Sequence, residues 1–442
     1  MKKIKLILLT VVVSVFLLGL AGSALGADFE VYYRCYETST WSKQLKPHFK
    51  IKNNSGSTVS LDEFKVRYWY TNEAGPIQIC AIDYAVVGKT NVTTSFGISD
   101  GWGYLEIGFT AGAGDLESGN DTGNIQPRFY TENYIYYKQT DDYSFDASKT
   151  NFTLWDHYTL YQNSNLVWGI EPDSIAWTSP DPVSSGAFKV LINTFDTDMD
   201  SAIIDDLSPY LQDGDIICVV HGNASNPVDM DELNSRLDTL QGAEELSSLD
   251  LVWVVLCAGH SKLTTIAESL STDKASYLFY DYEPGWPDWN ADFSTTLSNM
   301  ETAASICHTN SFDAGTAPTG RPLFDNNYIQ EEWDYGDIAN EMDIMLVQLQ
   351  SRLRYDYEKG YLDIPYYKFY LDKLMAQLVG ASFTIEVFPQ LTMLSTGNPN
   401  GAPLQYCING VEPIRLKGFP GMSIWWASDA TDDVVTLLDS FR

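Results

Sequence analysis

The chain has 442 residues, of which 59 are acidic and 27 basic, giving a formal net charge of −32. That length exceeds one ordinary hydrophobic core, so roughly two or three domains are expected. So acidic a chain repels phosphate backbones, which excludes nucleic acid as a partner and leaves a neutral glycan unaffected.

At the N-terminus, Lys2, Lys3 and Lys5 precede an apolar run from Leu6 to Leu20, followed by Ala24-Leu25-Gly26. A charged start, a short apolar stretch and small residues are what a signal peptidase accepts. Residues 1–26 are therefore expected to be a signal peptide on a secreted protein. The run is short for a bilayer span and no second one follows, so no stable membrane anchor is expected. Six cysteines in an exported chain permit disulfides. Cys35 and Cys80 are able to pair, whereas Cys218 and Cys257 sit in apolar runs that read as buried strands with free thiols.

From residue 28 to residue 172 the chain reads as aromatic-rich strands. The run Glu63, Phe64, Lys65, Val66, Arg67, Tyr68 alternates with period two, one face for a core and one for water. Five stretches lie in a fixed order: Lys46-Pro-His-Phe-Lys-Ile-Lys-Asn53, Arg67-Tyr-Trp-Tyr-Thr71, Tyr104-Leu-Glu-Ile-Gly-Phe-Thr110, Asp142-Tyr-Ser-Phe145 and Leu166-Val-Trp-Gly-Ile-Glu-Pro172. Together they resemble a family 3 carbohydrate-binding module of the cellulosome-scaffold type. The resemblance implies a nine-stranded antiparallel jelly-roll sandwich, one structural calcium ion, and an insoluble polysaccharide, cellulose foremost, as partner. In that family a flat row of aromatic and charged side chains grips the glycan. Carried across, the row comprises Asp83, Tyr84, Arg128 and Tyr134, with Tyr134 where scaffold modules tend to have Trp and Tyr84 where they tend to have His. The calcium ligands carry over as Thr71, Glu73, the Lys138 carbonyl, Asp141 and Asp142, an all-oxygen set suited to a hard cation. The plainer alternatives are ordinary half-exposed sandwich residues and two solvated acidic loops.

Residues 173–186, with Pro180 and Pro182, read as a short stiff linker. Over 187–442 the pattern changes to short apolar runs separated by amphipathic segments. The runs are Phe188–Phe195, Ile216–Val220, Leu251–Ala258, Tyr277–Glu283, Asp313–Pro318, Met345–Leu349, Phe383–Phe388 and Met422–Trp426. Eight such runs alternating with helices over about 250 residues predict an α/β (β/α)8 barrel of the TIM type. An open doubly wound sheet is the competing architecture.

Chemistry in such a barrel belongs at the C-terminal strand ends. The fourth run ends Tyr280-Asp-Tyr-Glu-Pro284, so Asp281 and Glu283 share strand parity, and each carboxyl raises the other's pKa towards general-acid duty. Glu386 in the seventh run is the candidate second carboxylate for glycoside cleavage. The alternative is a structural glutamate paired with Arg321 or a lysine. The Asp281-x-Glu283 pair also resembles the end of the family 18 chitinase strand motif, with Met345 in the sixth run and Trp425 or Trp426 in the eighth, although Ser276 and Phe279 occupy its earlier aspartate positions. That resemblance implies a nucleophile supplied by the substrate's own acetamido group. His221, His260, Gln348, Gln350, Gln390 and Asp429 are further strand-end polar groups. Trp286, Trp289, Trp425 and Trp426 are candidate stacking platforms for sugar rings. The expected function is a glycoside hydrolase-like barrel delivered to polysaccharide, and the alternative from another class is a non-catalytic adhesion or scaffold protein.

Overall fold

The computed structural model describes residues 27–173, 188–222, 227–379, 385–396 and 398–442. The expected signal peptide and, but for Asp173, the expected linker lie outside the described residues. Among the described residues, no helix is long and apolar enough to cross a membrane.

The sandwich strands are β1 (Phe29–Cys35), β2 (Pro47–Asn53), β3 (Phe64–Tyr70), β4 (Gln78–Ala85), β5 (Val92–Ser99), β6 (Trp102–Phe109), β7 (Ile125–Thr131), β8 (Thr153–Leu154), β9 (Tyr158–Gln162) and β10 (Asn165–Trp168). They form two five-stranded sheets, ordered β8-β1-β2-β7-β4 and β10-β9-β3-β6-β5. Ladders β1–β2, β2–β7, β3–β6, β5–β6, β3–β9 and β9–β10 run antiparallel. The sheets thus hold ten strands where nine were expected; the shortest, β8, pairs only Tyr32 and Tyr33 at the edge of β1. Period-two burial builds the core. In β1, Phe29, Val31, Tyr33 and Cys35 are buried while Glu30, Tyr32 and Arg34 stay partly exposed. In β7 the buried set is Ile125, Pro127, Phe129 and Thr131, and Gln126, Arg128 and Tyr130 occupy the other face.

The second unit is built on a closed barrel of parallel strands: β11 (Lys189–Thr194), β12 (Ile216–Val220), β13 (Val252–Ala258), β14 (Tyr277–Tyr282), β15 (Asp313–Pro318), β16 (Ile344–Val347), β17 (Glu386–Thr392) and β18 (Gly421–Trp425). Neighbours in space are neighbours in sequence, and β11 closes on β18. Helical segments separate the strands, among them Met230–Gln241, His260–Ser269, Phe293–Thr309, Pro365–Val379 and Leu404–Leu416. Leu191, Cys218, Leu256, Phe279, Leu346 and Phe388 pack together as one cluster, the barrel's inner fill. Gly315 explains why the fifth run is so poor in bulky residues. A Cβ there would lie 2.0 Å from the Phe279 ring, so the small residue leaves room for its neighbour.

Seven of the eight predicted runs overlie observed strands closely, and Ile216–Val220 and Asp313–Pro318 coincide end to end. The seventh does not: β17 is Glu386–Thr392, later in the chain than the predicted Phe383–Phe388. All six cysteines are free thiols, so Cys35 and Cys80 do not pair.

Packing divides the described residues into two compact units. Of the described residues, 27–71, 80–129 and 138–173 form one compact unit, while 72–79, 130–137 and everything from 188 onward form the other. Within this second unit Glu132 accepts hydrogen bonds from the hydroxyls of Tyr361 (3.1 Å) and Tyr366 (3.0 Å), and the Asn326 amide bridges the Tyr134 carbonyl and the Tyr136 N–H.

Candidate functional site

In the sandwich, the outer face of the β8-β1-β2-β7-β4 sheet carries Asp83 and Arg128 of the predicted row. Arg128 projects from β7 and meets Asp83 of β4 in a two-bonded fork, Nε to Oδ2 and Nη2 to Oδ1, each 3.0 Å. The Arg128 bond holds the Asp83 carboxyl below the usual range, so the pair stays ionised at any ordinary pH. Tyr84, the next residue, is 49% exposed. Tyr134 lies in a segment that packs with the second unit, with its ring stacked 4.8 Å from that of Tyr130. It is 42% exposed and adopts a left-handed backbone, φ 52°.

The expected calcium ligands are only partly brought together. The Thr71 hydroxyl donates to Asp141 Oδ1 (3.0 Å) and Asp142 Oδ1 (3.2 Å), and the Thr71 N–H donates to the same Asp142 oxygen (2.8 Å). Two carboxylates and a hydroxyl at such range form a hard-oxygen donor set that fits a calcium-like ion. Glu73 belongs to the second unit, and among the described residues no three Asp, Glu, His or Cys side chains converge as a metal-binding group. Of the five positions read from the sequence, Thr71, Asp141 and Asp142 are thus joined by hydrogen bonds, and Lys138 precedes the same turn.

At the barrel's C-terminal end the inner rows of four strands, β11, β14, β16 and β17, turn from apolar to polar. Tyr277 and Phe279 belong to the inner cluster, so Asp281 continues their row on β14 and Glu283 follows just beyond the strand. Leu346 is succeeded in the same way by Gln348, Phe388 by Gln390, and Leu191 by Asn193. These polar groups satisfy one another where they can. Gln348 Nε2 donates to Asp281 Oδ1 (3.1 Å) and to the Ala317 carbonyl (2.8 Å), Gln390 Nε2 to Thr392 Oγ1 (3.2 Å), and Asn193 Nδ2 to Ser423 Oγ (3.0 Å).

Asp281 is 6% exposed. Burial, then the neighbouring Glu283, pushes its carboxyl well above the usual range against the opposing effect of the Trp286 indole and Gln348. Glu283 is also raised by burial, with Arg321 and Trp286 pulling the other way. The Trp286 N–H is close enough to act on both carboxyls yet completes a regular hydrogen bond with neither. Two carboxyls thus share one strand end, and burial raises the pKa of both.

Glu386 is the main correction in the barrel. It is the first residue of β17, at the base of the barrel, opposite the end that carries Asp281 and Glu283. There it binds Lys189, the first residue of β11, at 2.6 and 2.8 Å. The carboxylate is thus a structural partner of a lysine, and Arg321 acts on Glu283 instead. Trp426 is corrected too: it is 1% exposed and donates to the Asn193 carbonyl, so its ring offers no platform. Trp425 is half-buried, edge-on to Phe195 at 4.4 Å. Met345 packs in the larger cluster outside the inner fill, a departure from the chitinase-like arrangement.

The remaining rim groups are braces. His221 accepts from the Asp229 N–H (3.0 Å), and His260 stacks on Tyr280 while contacting Asp288. Asp429 accepts from the Thr396 N–H, Gln350 reaches Gln348, and Trp289 packs on Tyr282 and Trp333. Asn193, Ser423 and Thr392, the last a partner of the expected Gln390, escaped sequence reasoning, which treats apolar runs as the whole strand.

Residues 30–169 match the cellulose binding domain family. An uncharacterized protein in the celA 5′ region of Paenibacillus lautus is 38% identical over 143 residues, 32% of this chain and 99% of that one. Endoglucanase A of the same organism is 38% identical over 150 residues, 33% of this chain but 21% of its own length. The segment matched in the beta-mannanase/endoglucanase A of Caldicellulosiruptor saccharolyticus is 37% identical and spans 12% of that protein. Among solved structures, the CBM3b of the major scaffoldin subunit ScaA from Acetivibrio cellulolyticus shares 33% identity, covering 33% of this chain and 97% of that one, with a TM-score of 0.31. Through residues 30–169, this chain belongs to the family 3 cellulose binding domains. The barrel lies outside the matched residues.

Proposed function

We propose that the chain is a secreted polysaccharide-binding protein that holds cellulose on the outer face of its β8-β1-β2-β7-β4 sheet. The observation that carries this reading is the Asp83–Arg128 fork on an exposed sheet face of a cellulose binding domain. A fixed, ionised pair offers both donors and acceptors to the edge hydroxyls of a glucan, and Tyr84 adds an exposed aromatic face for a sugar ring. Calcium is part of the same proposal, with Thr71, Asp141, Asp142 and the Lys138 carbonyl as the residues that would hold it. Bound there, it would join the loop after β3 to the turn at residues 138–142.

The barrel is read as a (β/α)8-type glycoside hydrolase. Its support is the buried carboxyl pair at the C-terminal end of β14. Glu283, its carboxyl raised by burial, gives its proton to the glycosidic oxygen as the bond breaks, and Asp281, held by Gln348, lines the site beside it. With Glu386 at the far end, no second strand among the described residues supplies a carboxylate nucleophile beside this pair. That placement favours the variant in which the substrate's own acetamido group attacks, on a glycan bearing N-acetyl groups.

The test is incubation of the full chain with β-glucans, xylan, mannan and chitin, beside sedimentation with microcrystalline cellulose. Co-sedimentation and release of reducing ends from at least one glycan are expected. Sedimentation without release from any of them selects the non-catalytic adhesion or scaffold reading. Sedimentation no greater than that of an unrelated protein removes the cellulose reading.

A further inference from the structure

On the same sheet face, β1 and β2 bring together a group of side chains that the cellulose row does not use. Tyr36, just after β1, is 60% exposed, and its ring stacks on His48 at 4.9 Å and 23°. Arg34 lies 5.3 Å from the centre of that ring and 5.5 Å from the centre of Phe152, and Lys46 lies 5.7 Å from the Tyr36 ring. Arg34 Nη2 is also 3.3 Å from His48 Nδ1. Burial first, then the charge of Arg34, drops the His48 pKa to about 4. The imidazole is therefore neutral and free to accept the guanidinium N–H, which fixes the plane of the fork.

Charge is what makes this group unusual. The chain carries a net charge of −32, and most of its cations that face a carboxylate bind it: Lys50 to Asp121, Lys65 and Arg67 to Glu106, Arg128 to Asp83. Among the described residues Arg34 and Lys46 form no ion pair, even though Lys46 is close enough to Asp83 to help lower its pKa. The distant acids do not cancel these two charges, because exposed charges are screened beyond about 10 Å at ordinary ionic strength.

We infer that Arg34, Lys46 and Tyr36 form a subsite for the carboxylate of a uronic acid residue, so that the module takes acid-substituted polysaccharide as well as neutral glucan. The inference rests on the polysaccharide-binding reading above. A planar guanidinium matches the two oxygens of a carboxylate, Lys46 adds a second charge, and the open face of Tyr36 takes the sugar ring. The site adjoins the cellulose row. Ile125 opposite Phe49 and Phe129 opposite Leu45 fix the register that sets Arg128 of β7 across from Lys46. A neutral backbone lying on the Asp83–Arg128 fork would therefore present its acidic substituents towards Arg34.

The full chain should be compared on glucuronoxylan and on the same polymer after chemical reduction of its carboxyls, by affinity electrophoresis at low salt. The unreduced polymer should bind about tenfold more tightly, since two charge-assisted contacts are involved. Arg34→Ala with Lys46→Ala should erase the difference, and Arg34→Lys should restore part of it. Sedimentation with microcrystalline cellulose reports on the underlying reading separately, and Arg34→Ala should leave it within about threefold, the scale of one peripheral contact. Equal binding of the two polymers overturns the subsite, whether or not cellulose is still held. A preference for sulfated over uronate-bearing polymer also overturns the assignment to carboxylate.

Discussion

The two units treat their carboxylates in opposite ways. In the sandwich, Asp83 and Glu106 are held ionised: Arg128 lowers the first, and for the second the bonds from Lys65 and Arg67 outweigh the effect of burial. In the barrel, burial raises Asp281, Glu283 and Asp356. A surface that grips a neutral polymer needs permanent charges whose hydrogen bonds are already oriented. A site that transfers a proton needs one held where water does not take it away. The same residue type serves both ends because its surroundings, a cation or a dry pocket, decide its state.

The sharpest way to break this contrast is Glu283→Gln in the full chain. It preserves shape but removes the transferable proton, so hydrolysis should fall by about 100-fold or more. The melting temperature should be nearly unchanged. Glu386→Gln is the paired control: it should leave turnover intact and cost at most about 1 kcal/mol, the scale of an exposed ion pair. A loss from Glu386→Gln equal to that from Glu283→Gln would return Glu386 to the chemistry.

Next in size is Arg128→Ala, which leaves Asp83 without its fork and should weaken sedimentation with microcrystalline cellulose by about tenfold, with hydrolysis of a soluble substrate untouched. Unchanged sedimentation would mean that the face is not the gripping surface.

The pH dependence of stability sharpens the comparison further. Asp356 is buried, accepts from the backbone N–H groups of Tyr366 (3.1 Å) and Tyr367 (2.8 Å) at the start of the Pro365–Val379 helix, and is raised by burial to about 7. Its folded pKa lies above the unfolded value of 3.8, so the folded chain binds the extra proton. The stability it contributes is therefore fully present below the unfolded value and is lost as pH rises through about 7. The sandwich carboxylates have the reverse sign, their contribution being lost as pH falls through their lowered values. Melting followed from pH 8 to pH 5 should show the barrel transition rising by a few degrees, and Asp356→Asn should flatten that slope. A barrel transition that falls over this range would contradict the sign.

The smallest effect concerns calcium. If Thr71, Asp141 and Asp142 hold it, chelation should lower the sandwich transition by a few degrees and leave the barrel transition in place. An unchanged melt would remove the ion.

Apolar pattern located most barrel strands because a strand buried on both sides is apolar on both sides, as in Ile216–Val220. It misplaced β17 for the same reason. That strand carries Gln390 and Thr392 near its mouth end, so reading for apolar residues stopped too soon, and the run's first residues, Phe383 and Thr384, lie outside the described residues. A slip of a few residues, at about 3.3 Å each, moved Glu386 in expectation from the base of the barrel towards its mouth. The Asp281–Glu283 pair was legible because two residues on one strand share a face whatever the tertiary arrangement. Trp426 was not, since nothing local distinguishes a tryptophan that reaches the Asn193 carbonyl from one that faces a sugar. In the sandwich, motif order located the strands and the Asp83–Arg128 pair. The assignment of residues 72–79 and 130–137 to the other unit depends on partners such as Tyr361, Tyr366 and Asn326, far away in sequence.

Phe279 and Gly315 have a bearing on traffic through the barrel. The aromatic ring fills the space that a side chain at position 315 would take, directly below Asp281 in the same inward row. That packing closes the interior of the barrel at this level. A molecule that came to the carboxyl pair would therefore find no way out along the barrel axis. Enlarging position 315 would unseat that ring rather than open an exit.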